Sequence, residues 1–424
     1  MRMMSMFGLV SLLAIGLTAC GGVAAPAAAP PSSATTKPAA SAAAPASASA
    51  AAKPAVSTAP AASAKPAGSA VASAKPAAMS ALPVSSATLQ QLIDGAKKET
   101  AFKGSWSSDS FGGPDGFNAM VAGVNQKFGL NIKGTFTPGI DMQSLQGKLA
   151  QEAAANQPSD SDIYLGNSQA MRDSLDTNTM QPYDWKSLLP QPLAADSAAN
   201  FDPYAPNGTG IAIASAITGA TYNTKLVKPE LVPHKLDDLL NPAFKGKIAS
   251  TPYAAGFRDF ATKDMLGKDA MIAFVTKFSP QVAGLIRCGS NDQITSGEFW
   301  MLALDCGAST VEQSKAAGAP IDQVVLDDIT SVHSFYAAVP RNSQAPNAAA
   351  LMSMWLTTPD GQAMLWKLWG SDMYTIPGAH AKAQIDKVRA SAGKFAVDSP
   401  QWISQNPDFP QVQQELQNIL AKKK

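Results

Sequence analysis

The chain has 424 residues, a formal net charge of +1 and an apolar fraction of 46%. That balance lacks the concentrated basic field expected of a nucleic-acid-binding protein, and no internal apolar run reaches the roughly 20 residues of a membrane-spanning helix. Three histidines, His234, His333 and His380, stand too far apart in sequence to suggest a metal cluster.

The chain opens with Arg2, a short apolar stretch from Met6 to Leu17, and then Leu17-Thr18-Ala19-Cys20. The stretch is too short and wrongly flanked for a permanent span. An apolar residue, two small ones and a cysteine resemble the bacterial lipobox. That resemblance implies that residues 1–20 are a lipoprotein signal peptide, that Cys20 is lipidated, and that the protein is exported and anchored on the outer, periplasmic or extracellular face of a membrane. Gly21 follows the cysteine, not the Asp of inner-membrane lipoproteins.

Residues 21–83 are almost only Ala, Pro, Ser, Thr, Lys, Val and Gly, and Ser-Ala-Lys-Pro-Ala recurs at Ser63 and Ser73. Such a segment buries too little surface to offset its ordering entropy. A disordered, polyproline-like tether is expected, with a reach of roughly 190 Å if fully extended at about 3.1 Å per residue.

From Val84 the composition is that of a folded chain. Leu89, Leu92, Ile93 and Ala96 have the spacing of an amphipathic helix. Ala101 to Ser107 reads as a strand, Ser107 to Pro114 as a loop, and Phe117, Met120, Val121, Val124 and Phe128 as a helix face. A strand at Asn131–Phe136 leads to a helix with Asp141 as N-cap and Leu145, Leu149 and Ala153 on one face. Asp162–Leu165 is a short buried strand that ends at Gly166-Asn167-Ser168 before another helix. Strands alternating with helices predict an α/β sheet. In such sheets, ligands bind beyond the carboxyl ends of the strands, so the loops near Ser107, Asp141 and Asn167 are expected to converge.

Further on, the apolar run Ile211–Ile217 leads into Thr218–Lys225, and Asp237–Ile248 reads as a short helix, a turn and a strand. The loop Thr251–Phe257 opens another helix, Phe299–Asp305 is a strand, and Ser309-Thr310-Val311-Glu312 has the form of a capping box. Val332–Pro340 is a strand, and most of the remainder from Asn347 is helical. With Cys20 assigned to lipid, Cys288 and Cys306 form an even pair in an oxidising compartment. Either they are bridged, at a gain on the order of 3 kcal/mol, or they are two buried thiols. No Gly-x-Ser-x-Gly, His-Glu-x-x-His or Gly-Lys-Ser/Thr motif occurs, so an enzyme is not expected.

Four stretches, in order, resemble the extracellular solute-binding proteins of ABC importers, in the group that includes ferric-iron, thiamine and phosphonate binders. They are Thr221–Val227, Asp237–Ile248, Ser296–Phe299, and Ala337–Asn342 followed by Ala345–Ala349 and Thr358–Gln362. The resemblance implies an α/β, periplasmic-binding-protein-like type II fold: two lobes joined by a two-strand hinge, with crossings near Ala214–Tyr222 and Val332–Ala338. The solute-binding domain is then 84–424, with lobe 1 at about 84–213 plus 339–424 and lobe 2 at about 223–331.

By family position, the ligand-facing candidates are Ser107, Ser108, Asp141, Met142, Asn167 and Ser168 from the first lobe. Thr251, Tyr253, Ala254 and Gly256 are their counterparts from the second. Small hydroxyl residues and glycine at helix starts suit an oxyanion, although each Ser or Asp also serves as a plain N-cap. Trp106 and Tyr253 could stack on a ring or cation, Arg258 could pair with an anion, and His333 and Tyr336 lie on the hinge strand.

The partners implied are a small organic or oxyanionic solute, an ABC permease in the cytoplasmic membrane and the lipid at Cys20. A monomer without cofactor, resident metal or nucleic acid is expected. Ferric iron is disfavoured because no Tyr-Tyr pair occurs, and a ligand sensor for a membrane receptor is the other alternative.

Overall fold

A computed structural model describes residues 80–307, 310–391 and 393–421. The signal peptide, the lipobox Cys20 and the tether as far as residue 79 lie outside the described residues. Among the described residues, no helix is long and apolar enough to cross a membrane.

The strands, in chain order, are β1 (Ala101–Trp106), β2 (Lys133–Pro138), β3 (Tyr164–Asn167), β4 (Met180–Gln181), β5 (Ile211–Ile217), β6 (Gly219–Asn223), β7 (Ile248–Ser250), β8 (Val282–Leu285), β9 (Met301–Asp305), β10 (Ile321–Val324), β11 (Ile329–Pro340) and β12 (Lys394–Val397). β1 runs parallel to β2 from Ala101 opposite Lys133 to Trp106 opposite Pro138, and a parallel bridge joins Gly104 to Ile163, just before β3. β11 is antiparallel to β3, β4 and β5 and parallel to β12. A second sheet has the order β10-β6-β9-β7-β8, with β7 parallel to both β8 and β9.

Every residue of β5 is buried, as expected of a central strand read as a continuous apolar run. The predicted helices form where their apolar spacing places them. Leu89–Ala96 starts at Thr88, which exchanges hydrogen bonds with Gln91 in a capping box. Helix Gly113–Phe128 buries Phe117, Met120, Val121 and Val124, and helix Met142–Ala154 buries Leu145, Leu149 and Ala153. Of the expected capping box at 309–312, Ser309 lies outside the described residues; Thr310 is the N-cap residue but makes no side-chain cap bond.

The chain passes between the sheets at Thr218, a single residue separating β5 from β6, and again between β10 and β11. The second passage lies earlier than the Val332–Ala338 expected. Those residues pair with β5 and β3 along their length, so they belong to the first sheet, and the crossing falls at 325–328. The C-terminus also departs from expectation. Helix Phe409–Ala421 falls within the 339–424 expected of the first lobe, but Phe409, Val412, Leu416 and Leu420 share one core with Phe257, Phe260, Met271, Phe274 and Phe278 of the middle section. Spacings of three and four residues give this helix one apolar stripe, and the middle section supplies the surface that covers it.

Candidate functional site

The parallel strands β2, β1 and β3 end at Pro138, Trp106 and Asn167, and the loops that follow carry the first group of candidates. Ser107 is half-buried, its hydroxyl hydrogen-bonds the Asp109 carboxylate, and Ser108 is exposed. This loop turns back through three successive left-handed residues, Phe111 (φ 51°), Gly112 (φ 77°) and Gly113 (φ 55°). A Cβ on Gly113 would lie 2.3 Å from the Ser108 carbonyl oxygen, so only glycine permits the close approach.

Asp141 caps helix Met142–Ala154, accepting from the Ser144 N–H at 3.0 Å and the Ser144 hydroxyl at 2.8 Å. Partial burial opposes its ionisation, but the Ser144 donors outweigh that and hold the carboxyl below its usual range. The Met142 carbonyl accepts the Tyr164 hydroxyl at 2.9 Å. Asn167 caps helix Ser168–Thr177 through the Ala170 N–H at 3.0 Å, and Gln143 reaches the same oxygen at 3.4 Å. The Gln143–Asn167 and Met142–Tyr164 bonds join the loop and helix after β2 to β3. Ser168 is fully buried, and its hydroxyl donates to Asp398 at 2.7 Å and to the Ser334 carbonyl at 3.1 Å. It is spent inside the molecule.

In the second sheet, β7, β8 and β9 are parallel, so the loops at 251–256 and 286–290 and the residues Cys306 and Gly307 after β9 also lie at one edge. Thr251, Ala254 and Gly256 are buried and shape the first of these loops. Thr251 Oγ1 accepts the Ala255 N–H at 2.9 Å, and Ala254 sits at φ 52°, a strained setting for a residue with a Cβ. The Tyr253 hydroxyl accepts the Cys288 N–H at 2.7 Å, which ties the first loop to the second. A disulfide between Cys288 and Cys306, with Cα atoms 5.3 Å apart, ties the second loop to the residues after β9.

Asp305, at the end of β9, completes this scaffold. One carboxylate oxygen accepts the N–H groups of Gly289 at 3.0 Å and Gly307 at 2.8 Å, and the other accepts the Thr221 hydroxyl at 2.6 Å. Complete burial raises its pKa, and those three bonds only partly offset the effect.

The two groups of loops meet at a seam. Arg287 lies 3.6 Å from Asp109, and Gln313 Nε2 donates to the carbonyls of Trp366 at 2.9 Å and Lys367 at 2.8 Å, in the last turn of helix Pro359–Trp369. Beside the first-lobe loop, Phe111, Phe335 and Trp369 form an aromatic cluster: centroids are 4.3 Å apart for Phe111–Trp369 and 4.8 Å for Phe335–Trp369. Phe335 and Trp369 stay half-buried.

Sequence reasoning missed Arg287, Gln313, Phe335 and Trp369. Only the Cys-Gly pairs after β8 and β9, Cys288-Gly289 and Cys306-Gly307, could have flagged the two additional loops. Other candidates have structural tasks. Trp106 is buried against Phe111, Phe117 and Phe136, and Arg258 stacks 4.4 Å over Phe409 while donating to Asp259. Among the described residues, no group of three or more His, Cys, Asp or Glu is placed to hold a metal ion.

Residues 119–396 match the family of bacterial extracellular solute-binding proteins. Among curated proteins, none matches this sequence. Solved structures do. The substrate-binding protein of an ABC transporter from Agrobacterium tumefaciens has TM-score 0.57 at 13% identity, over 77% of this chain and 96% of its own. Iron-bound HitA from Pseudomonas aeruginosa has TM-score 0.55 at 15% identity, over 75% and 99%. MotA from A. tumefaciens B6, in complex with glucopine, has TM-score 0.55 at 13% identity, over 76% and 99%. At these identities the likeness establishes the fold, the periplasmic-binding-protein type II arrangement.

Proposed function

This chain belongs to the bacterial extracellular solute-binding protein family, and on that footing we propose that it captures a small solute between two closing lobes and delivers it to an ABC permease. One observation supports the trap most directly. Loops from the carboxyl ends of two separate sheets, where α/β sheets bind ligands, meet at Asp109–Arg287, and a helix from each side meets at Gln313–Trp366. A ligand that touches both groups favours the closed arrangement by its differential affinity.

The proposed domain layout follows. Residues 1–20 are a signal peptide, Cys20 carries the lipid anchor, and 21–83 form the tether. Lobe 1 is the segment before Thr218 together with the part of the chain from β11 through helix Pro359–Trp369. Lobe 2 is the middle section, on which helix Phe409–Ala421 packs. Ser107, Ser108, Asp141, Met142 and Asn167 form one wall of the site; Thr251, Tyr253, Ala254 and Gly256 form the other, joined by Arg287. The solute is a small organic or oxyanionic compound. The relatives of this fold hold ligands as different as iron and glucopine, so the fold leaves the choice to these side chains.

The test is a thermal-shift screen of the full chain against oxyanions, phosphonates, thiamine, polyamines, small carboxylates and ferric citrate, with small-angle scattering on every hit. A ligand at 100 times its Kd stabilises by about 2.7 kcal/mol and contracts the scattering profile. Stabilisation by ferric citrate alone overturns the solute class. A hit that leaves the profile unchanged overturns the trap.

A further inference from the structure

The first sheet, the Thr218 crossing and the short helix after β7 meet in one buried polar cluster centred on His333. Its Nδ1 lies 3.1 Å from Asp398, which follows β12. Its Nε2 lies 3.0 Å from the Thr218 hydroxyl on the first crossing and 3.5 Å from Asp259 in the short helix Phe257–Phe260. Asp398 also accepts the Ser168 hydroxyl and the Ser334 N–H, both at 2.7 Å. Asp259 accepts the Ser331 hydroxyl at 2.9 Å and Arg258 Nε at 3.1 Å, and Ser331 is 2.9 Å from Thr218.

The charged groups around His333 are therefore Asp259 and Arg258 from one helix and Asp398 from the segment after β12. Thr218, Ser331, Ser334 and Ser168 bring no charge. With a neutral imidazole, two buried carboxylates would share one guanidinium, an uncompensated buried charge of the kind that proteins avoid. An imidazolium makes the cluster neutral and lets each ring nitrogen donate. Burial opposes that proton, but Asp259 and Asp398 outweigh it and raise the imidazole above its ordinary value.

The cluster also connects the walls of the site. Ser168 directly follows Asn167 of the first-lobe loop, and Asp259 lies three residues beyond Gly256, the last candidate of the second-lobe loop.

Resting on the trap reading, we propose that His333, bonded to Asp398 and facing Asp259, is a protonated latch that couples closing of the lobes to proton binding. On this proposal, moving the second lobe carries Asp259 and Arg258 together away from His333 and leaves Asp398 in place; Asp259 acts more strongly on the ring than Arg258 does, so the closed form holds the proton more tightly than the open one. The sign follows from linkage. The contribution is full below the open-state imidazole pKa and is lost as pH rises through the raised closed-state value. Each unit between those two values makes about a tenfold difference in the closing equilibrium.

The experiment labels the full chain with ¹³C-histidine and follows the three imidazole resonances by NMR from pH 5 to pH 9. H234Q and H380Q assign the two exposed rings, so His333 itself is read in a chain that keeps it. Scattering is recorded over the same range, without solute and with the panel above. The expected result is a His333 titration above about 6.5, with the scattering profile expanding over the same interval in the wild type and staying flat with pH in H333Q. A His333 resonance that is neutral throughout, or an H333Q profile that keeps the wild-type pH dependence, overturns the latch. A panel hit that contracts the profile equally at every pH also overturns it while leaving the trap standing. A hit that stabilises the chain yet contracts it at no pH overturns the trap instead.

Discussion

Asp109 and Arg287 stand 3.6 Å apart, although one follows a strand of the first sheet and the other a strand of the second. Both side chains are well exposed, so the pair adds little to global stability; exposed pairs are worth at most about 1 kcal/mol. Its effect falls on how the two groups of loops sit. Asp109→Asn and Arg287→Gln are each expected to leave the unfolding midpoint nearly unchanged and to increase the radius of gyration of the solute-free chain. High salt should do the same to the wild type, by screening. Scattering at low and high ionic strength checks both.

The Cys288–Cys306 disulfide joins the loops after β8 and β9. Its removal in the C288S/C306S double variant should cost on the order of 3 kcal/mol, from loop-closure entropy returned to the unfolded chain. Calorimetry with and without reductant measures this. Reductant should lower the wild-type midpoint and leave that of the variant unchanged.

Gly256 separates two effects of an added Cβ. At φ 71° a Cβ there would meet Leu304 Cβ at 2.8 Å and Thr218 Cγ2 at 2.9 Å, whereas Gly246, at φ 69°, has nothing within 4 Å. Gly246→Ala is expected to cost only the left-handed backbone penalty, about 1–2 kcal/mol. Gly256→Ala should cost about 1–3 kcal/mol more from overpacking, and because Thr218 is one of the crossings, it should also weaken solute binding. Denaturant melts of the two variants give the difference.

Asp305 organises the second-lobe loops through three donors. Asp305→Ala leaves them buried without an acceptor, at about 1–3 kcal/mol for each group left unsatisfied. Asp305→Asn preserves the geometry, with its oxygen facing Gly289 and Gly307 and its amide facing Thr221. The pH dependence has a definite sign. Burial raises the folded pKa above the ordinary 3.8, so the protonated form contributes stability that is complete below that value and lost as pH climbs through the raised one. Denaturant melts across this interval should show that loss in the wild type and its absence in Asp305→Asn.

Much of the candidate site was legible as local chemistry. Asp141 and Asn167 are N-caps because a short acceptor precedes a helical apolar spacing, and that relation spans only three residues. The loop Ser107–Pro114 and the apolar strand Ile211–Ile217 could be read the same way. Ser168 could not. A serine at a helix start looks like a ligand contact until β11 and the segment after β12 bring Ser334 and Asp398 to it.

The sequence by itself determined which segments fold, their helix and strand periods, and the alternation that makes an α/β sheet, because those depend on neighbours a few residues apart. Only the tertiary structure decided that Arg287 meets Asp109, that His333 has Asp398 bonded to it on one side and Asp259 facing it on the other, and that the last helix covers the middle section. Each of these joins positions tens of residues or more apart. Strand register and the packing of buried surfaces, rather than any local pattern, bring them together.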